Sequence, residues 1–350
     1  MENVNDEQRE DLRAVPGSGR VLWRRIASLW TPETYHGWGI SSRWFEGWYF
    51  KVVDPSERIV LAMIPGVFHG EDPKASHAFI QVLDGVAGAA RYNRYPLEDF
   101  AVSSGRPFRL KVGENRFSCD SLHLDVPGPR GRVRGRITMG ELYPWPVTPL
   151  SPGVMGPYTF VPFMQCYHGI LSFDHVLSGR VSIGDREVDF EGGRGYTERD
   201  WGRSFPRAWI WMQSNHFERY GISLSLSIAT IPWLGSGFTG LIAGLLLDGK
   251  LYRFTTYGRT RIREANISPR EVEITLENDE HRLRVRADRG EGATLLSPEI
   301  STMQPRVVED MTGEVRVSLE DRRKGNQLYS GLGRCAAIEV VGDSLARSSS

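Results

Sequence analysis

ISLSLSIATIPWLGSGFTGLIAGLLL, Ile222 to Leu247, admits two opposite folds. Its apolar part, Ile228 to Leu247, has about the length of a membrane-spanning helix. Yet Ile222 to Ile228 alternates strictly between apolar residues and serine, the period of a strand with one covered face. The triplet Gly235-Ser236-Gly237 then interrupts the run where a hairpin needs a turn. The stretch therefore reads as two antiparallel strands, and the chain as all-β.

The same signature extends in both directions. From residue 43 to residue 340 short apolar runs alternate with turn pairs such as Asp54-Pro55, Gly184-Asp185, Asp248-Gly249 and Asn278-Asp279. The runs give roughly twenty candidate strands, the pattern of sandwiches and barrels. Leu142 to Pro162, rich in Pro and Gly, reads as a long loop over the surface. Helix signals are confined to Arg20–Trp30, RVLWRRIASLW, with Val21, Leu22, Ile26 and Leu29 near helical spacing and Thr31-Pro32 as the stop. Residues 1–35 thus form a tail with one short amphipathic helix. It reads either as a helix packed on the body of the protein or as an interfacial membrane anchor.

Composition narrows the partners. The 350 residues carry 43 Lys+Arg and 43 Asp+Glu, so no net field attracts nucleic acid or an anionic membrane. Cys119, Cys166 and Cys335 are far apart and form no zinc spacing, and the first fifteen residues lack a signal-peptide core. A reducing, cytoplasmic setting is expected, with peripheral membrane contact left open. No nucleotide-binding glycine motif, nucleophile elbow or HExxH occurs, and no metal site is expected from the eight scattered histidines.

The densest chemistry lies in GGRGYTERDWGRSFPRAWIWMQSNHF, Gly192 to Phe217. Two-residue alternation puts Glu198 and Asp200 on one strand face, and Trp209, Trp211, Gln213 and Asn215 on one face of the next. Trp201 lies beside the acids. A second aromatic strand, Arg43 to Val53, places Glu46 and Trp48 on one face and Phe45 and Tyr49 on the other. A carboxyl among indoles, with a second acid nearby, stays protonated to higher pH and serves as a general acid. Each residue also has a structural reading. Asp200 could pair with Arg199, Arg203 or Arg207, Glu46 with Arg43 or Lys51, and the tryptophans could be core. His168 and His216 read as structural histidines.

This segment resembles the tocopherol cyclase family. So do RWFEGWYFKVV (Arg43 to Val53), HAFIQV (His77 to Val82), PFMQCYHGILSFDHVLSG (Pro162 to Gly179) and GRCAAIEVVGD (Gly333 to Asp343). The resemblance implies two tandem lipocalin-like β-barrels. Tyr196 to Gly202 would open the second, which divides the chain near residue 190 into 36–190 and 191–345. It also implies an isomerase of the intramolecular-lyase type, as in vitamin E biosynthesis. Such an enzyme needs no cofactor and closes a chromanol ring on a prenylated hydroquinone. Asp200, assisted by Glu198, would give the proton, and Glu46, Trp48, Tyr49, Trp201, Trp209, Trp211, Gln213 and Asn215 would hold the hydrophobic prenyl-aromatic. The alternatives are a hydratase or pericyclase on the same scaffold, or a non-enzymatic carrier of an isoprenoid. The pocket is expected to hold roughly 300–1,000 Å³, lined by Trp48, Trp209, Trp211 and Gln213.

Overall fold

The structure, a computed structural model, describes residues 18–162, 164–233 and 236–342. The decisive stretch is a hairpin. Ile222–Trp233 pairs antiparallel with Ser236–Leu247, in register from Ile222 opposite Leu247 to Trp233 opposite Ser236. Ser236 and Gly237 lie inside the second strand, and Gly235, also expected in the turn, falls outside the described residues. Among the described residues no helix is long and apolar enough to cross a membrane.

Among the described residues nearly all regular structure is antiparallel strand, in one sheet of twelve strands, one of ten and a two-stranded ribbon. The one α-helix in the described residues runs from Ser18 to Ser28. In the twelve-stranded sheet, Trp44–Val53 lies between Val60–His69 and Arg194–Gly202, and Arg194–Gly202 pairs in turn with Cys166–Ile183. In the ten-stranded sheet, Trp209–Ser214 lies between Ile222–Trp233 and Asn326–Val341, and the latter pairs with Met303–Asp321.

Three large apolar clusters explain why these strands differ in pattern. The first sheet curves over one cluster that includes Trp48, Phe50, Phe108 and Phe117. The second curves over another, with Ile210, Met212, Leu224 and Leu226. A third lies between the two sheets and takes Tyr49, Tyr196, Trp209 and Trp211. Strands far from the junction alternate cleanly, as Ser121–Gly128 does. Strands at the junction are covered on both faces, so Arg194–Gly202 and Trp209–Ser214 are buried almost throughout.

Two boundaries move. The strand that carries the Tyr196–Gly202 motif belongs to the first sheet, where it pairs on both sides. The chain therefore changes sheet between Gly202 and Trp209, later than the expected division near residue 190. The strand expected to carry Trp209, Trp211, Gln213 and Asn215 on one face stops at Ser214, so Asn215 does not continue that row. The Leu142–Pro162 segment forms a two-residue ribbon, Val147–Thr148 with Ser151–Pro152, and a 3₁₀ turn at Gly156–Phe160.

Candidate active site

Register decides which side chains meet. Across the antiparallel pair, Tyr49 is opposite Glu198 and Gly47 opposite Asp200, so the Phe45, Gly47, Tyr49 face joins the two acids. Glu46, opposite Trp201, and Trp48, opposite Arg199, project to the other side. On the next strand His168 is opposite Asp200. From the second sheet, Trp211 is opposite Glu339 and Ser227, and Glu309 is opposite Glu339. These two rows face each other across a cavity of about 180 Å³ lined by Tyr49, His168, Glu198, Asp200, Trp209, Trp211, Glu309 and Glu339. Met155, Tyr158 and Met164 of the long connection close one side.

Of the two first-sheet acids at the cavity Glu198 is the better enclosed, with its side chain 6% exposed against 28% for Asp200. Its Oε2 accepts hydrogen bonds from the Tyr196 hydroxyl and, at 3.1 Å, from Trp211 Nε1. Tyr196 is anchored across the junction by Ser225 Oγ at 3.0 Å. His168 sits between the acids, Nδ1 2.9 Å from Asp200 Oδ1 and Nε2 3.4 Å from Glu198 Oε2. Burial pushes Glu198 up to about 7; nearby Asp200 adds to this, while His168 works against it. Burial alone would lower His168, but the two carboxylates overcome it and lift the imidazole to about 9. At neutral pH the group therefore holds a largely charged imidazole beside a carboxyl that retains much of its proton.

The second sheet contributes two further acids. Tyr49 Oη donates to Glu309 Oε1 at 2.5 Å, and Trp209 Nε1 to Glu339 Oε2 at 2.6 Å. Burial raises both carboxyls, Glu309 to about 8 against the opposing Tyr49 bond and Lys51 charge, and the nearby Glu309 raises Glu339 further. Sequence reading missed both. Glu309 lies on the long strand Met303–Asp321. Glu339 had a readable signal, since it is the one acid in the apolar run Ala336 to Val341.

Several expected site residues lie elsewhere. Trp48 is fully buried in the first sheet's core, stacked on Phe108 with its Nε1 donating to Glu33 O. Glu46 is enclosed by Arg199, the His36 and Gly37 amides and Trp44 Nε1. Trp201 stacks between His36 and Tyr167 on that same far face. Gln213 accepts from Lys51 Nζ at 2.9 Å, and Lys51 also donates to Cys335 O. Asn215 donates to Asp174 Oδ1 and Gly195 O. Thus Tyr49, Glu198, Asp200, Trp209 and Trp211 line the cavity, and Glu46, Trp48, Trp201, Gln213 and Asn215 do not. The cavity is also smaller than expected, because the two sheets and the Met155–Met164 segment close on it.

His168, Glu198 and Asp200 also form the kind of N,O-donor group that holds metals, with ligand atoms within 4.8 Å of one another. The contacts already made hold the imidazole by its Nδ1 on Asp200, with Nε2 3.4 Å from Glu198 Oε2 and without a hydrogen bond of its own. The imidazole occupies the space between the carboxylates, and Glu198 Oε2 is already taken by two donors.

The tocopherol cyclase-like family model matches residues 142–342. The chain is 24% identical to a probable chloroplastic tocopherol cyclase of Oryza sativa subsp. japonica, over 91% of this chain and 80% of that protein. It is 25% identical to the chloroplastic tocopherol cyclase of Zea mays, over 52% of this chain and 40% of that one. Among solved structures, CghA with Sch210972 superposes with a TM-score of 0.52 at 10% identity, covering 85% of this chain and 88% of that chain. CghA alone gives 0.51. At that identity the structural likeness concerns the fold alone.

Proposed function

The chain belongs to the tocopherol cyclase-like family, and from that premise we propose that it is an isomerase closing a chromanol ring on a prenylated hydroquinone. The observation that carries the reading is Glu198, a buried carboxyl that keeps its proton near neutrality at the wall of an aromatic cavity. The two curved sheets are read as the two barrels, with the site between them.

The proton budget closes within one group. Glu198 gives its proton to the CH carbon of the side-chain double bond nearest the ring, and the π electrons form the new C–H bond. The tertiary carbon is left cationic, and the Trp209 and Trp211 rings stabilise such a charge by roughly 0.5–2 kcal/mol each. A lone pair of the phenolic oxygen closes the C–O bond, and the phenolic proton passes to Asp200. His168, charged at rest and placed between the two acids, delivers its Nε2 proton to Glu198 and then takes the Asp200 proton at Nδ1. Product and substrate are isomers, and the triad returns to its starting state. This assigns the donor role to Glu198 and the acceptor role to Asp200, because Asp200 is the more exposed of the two and is already bonded to His168. Gly47, opposite Asp200, presents no side chain and leaves the carboxylate open to the cavity.

Incubation of the purified protein with phytyl and shorter prenyl quinols, followed by chromatography, is expected to yield the chromanol. Its absence with every chain length would overturn the reading and favour a carrier.

The pH profile gives a second expectation. Glu198 must be protonated, so turnover should fall as pH rises through about 7. The His168 charge holds Glu198 down. Replacing it, His168→Gln, is therefore expected to slow turnover yet move the alkaline limb to higher pH. A limb that stays in place would show that another group sets it.

A further inference from the structure

The Ser18–Ser28 helix is oriented against the usual rule for a surface helix. Leu22 and Trp23 are 62% and 74% exposed, and Ile26, one turn after Leu22, is 41% exposed. The side turned to the protein carries Val21, Ser28 and an arginine. Val21 joins the first sheet's core, Ser28 is buried, and the Arg24 guanidinium lies 4.8 Å from the centre of the Trp38 ring. A cation is packed inward while the larger apolar side chains face outward, the reverse of a helix docked for its own burial. Single exposed apolar residues are ordinary, but a contiguous patch marks a contact site.

The patch continues onto the segment that walls the cavity. Trp30 donates from Nε1 to Pro149 O at 3.2 Å, and its ring lies 5.7 Å from that of Phe160. Beside Pro149, Leu150 is 81% exposed, and Phe160 is 42% exposed. The same segment supplies Met155 and Tyr158 to the cavity. We propose that this face, built from Leu22, Trp23, Ile26, Leu150 and Phe160, seats the protein on an anionic lipid surface from which the cavity draws its ligand.

Three features select a lipid surface over another partner. The helix SGRVLWRRIAS holds three arginines and no acid, the composition of an interfacial helix on anionic headgroups. Tryptophan, which Trp23 presents outward, prefers the headgroup level. The preceding residues 1–17, MENVNDEQREDLRAVPG, are mostly polar and acidic and offer no apolar stripe to cover the face. The link to ligand supply rests on the reading of the site as one for a prenyl quinol; the binding face itself does not.

Vesicle flotation tests the face without turnover. The full chain is expected to float with phosphatidylcholine vesicles containing roughly a third phosphatidylglycerol, and less with phosphatidylcholine alone. The variant L22S/W23S/I26S, altered only at exposed positions, should lose about tenfold or more of the bound fraction. Its turnover of a short-chain quinol dispersed in detergent should match the unaltered protein, while turnover of long-chain quinol presented in vesicles should fall through KM. Equal flotation of variant and unaltered protein would overturn the proposal. So would failure of the unaltered protein to float, or a dimer that the triple substitution dissociates, which would give the face to a second copy. If flotation succeeds and no quinol is converted, the face holds and the cyclase reading fails.

Discussion

Glu198→Gln is expected to lower turnover of a prenyl quinol by about 10²–10⁴-fold, the usual contribution of a single general acid. The substitution keeps volume and leaves an oxygen to accept from Trp211 Nε1, which now lies 3.1 Å from Glu198 Oε2. It removes the one proton that the scheme gives to the alkene. Binding of the chromanol product should change by no more than about threefold, since it depends on the aromatic walls. The comparison with Asp200→Asn is informative. That variant should also be slow, but it loses the acceptor rather than the donor. Asp200→Asn keeps the donor, so its residual turnover should retain an alkaline limb, moved below about 7 because Asp200 no longer raises Glu198, whereas Glu198→Gln should lose that limb. If Glu198→Gln turns over normally, Glu309 becomes the donor to test, because it lines the same cavity and burial raises it to about 8.

The largest expected effect on stability lies on the far side of the same strands. Arg199 is 1% exposed. Its guanidinium pairs with Glu46, donates to Pro32 O and Thr34 O, and lies 4.6 Å and 4.5 Å from the ring centres of Trp48 and Trp201. Arg199→Met should destabilise the chain by about 3–5 kcal/mol, because Glu46 is then a buried carboxylate without its counter-ion. Arg199→Met with Glu46→Gln should recover part of that loss, since no uncompensated charge is left. Equilibrium denaturant unfolding of the three proteins measures this. The pH dependence follows in sign. Burial works to raise Glu46, but Arg199, with His36, holds it below its ordinary range. Its contribution is therefore complete above the unfolded carboxyl's titration and is lost as pH falls through the depressed folded value. Arg199→Met should remove that acid-side loss. A single variant as stable as the unaltered chain would mean that the pair is not what joins the N-terminal segment to the first sheet.

The Glu198 and Arg199 results together show what could be read from the sequence. Period-two alternation was enough to put Glu198 and Asp200 on one face, Trp209 and Trp211 on one face, and the Ile222–Leu247 stretch in a hairpin. Alternation assigns faces within a strand but not between strands. Which face of Trp44–Val53 joins the acids depends on pairing register, and a shift by one residue exchanges the two faces. Hence Glu46 and Trp48 were expected at the site alongside Tyr49, whereas only Tyr49 of the three reaches it, with Gly47 beside it. His168, Glu309 and Glu339 come to the cavity from strands distant in sequence, and of the three only Glu339, an acid in an apolar run, carries a local signal. Gln213 was read as free to meet a ligand because its partner, Lys51, comes from the other sheet.

The cyclase account is tested most directly by running the reaction in deuterium oxide. The scheme predicts a chromanol carrying one deuterium, on one face of the methylene next to the new oxygen-bearing carbon, with Glu198→Gln reducing both product and label together. A chromanol without deuterium at that carbon, or with label distributed equally over both faces, would contradict proton transfer from a fixed carboxyl in this cavity.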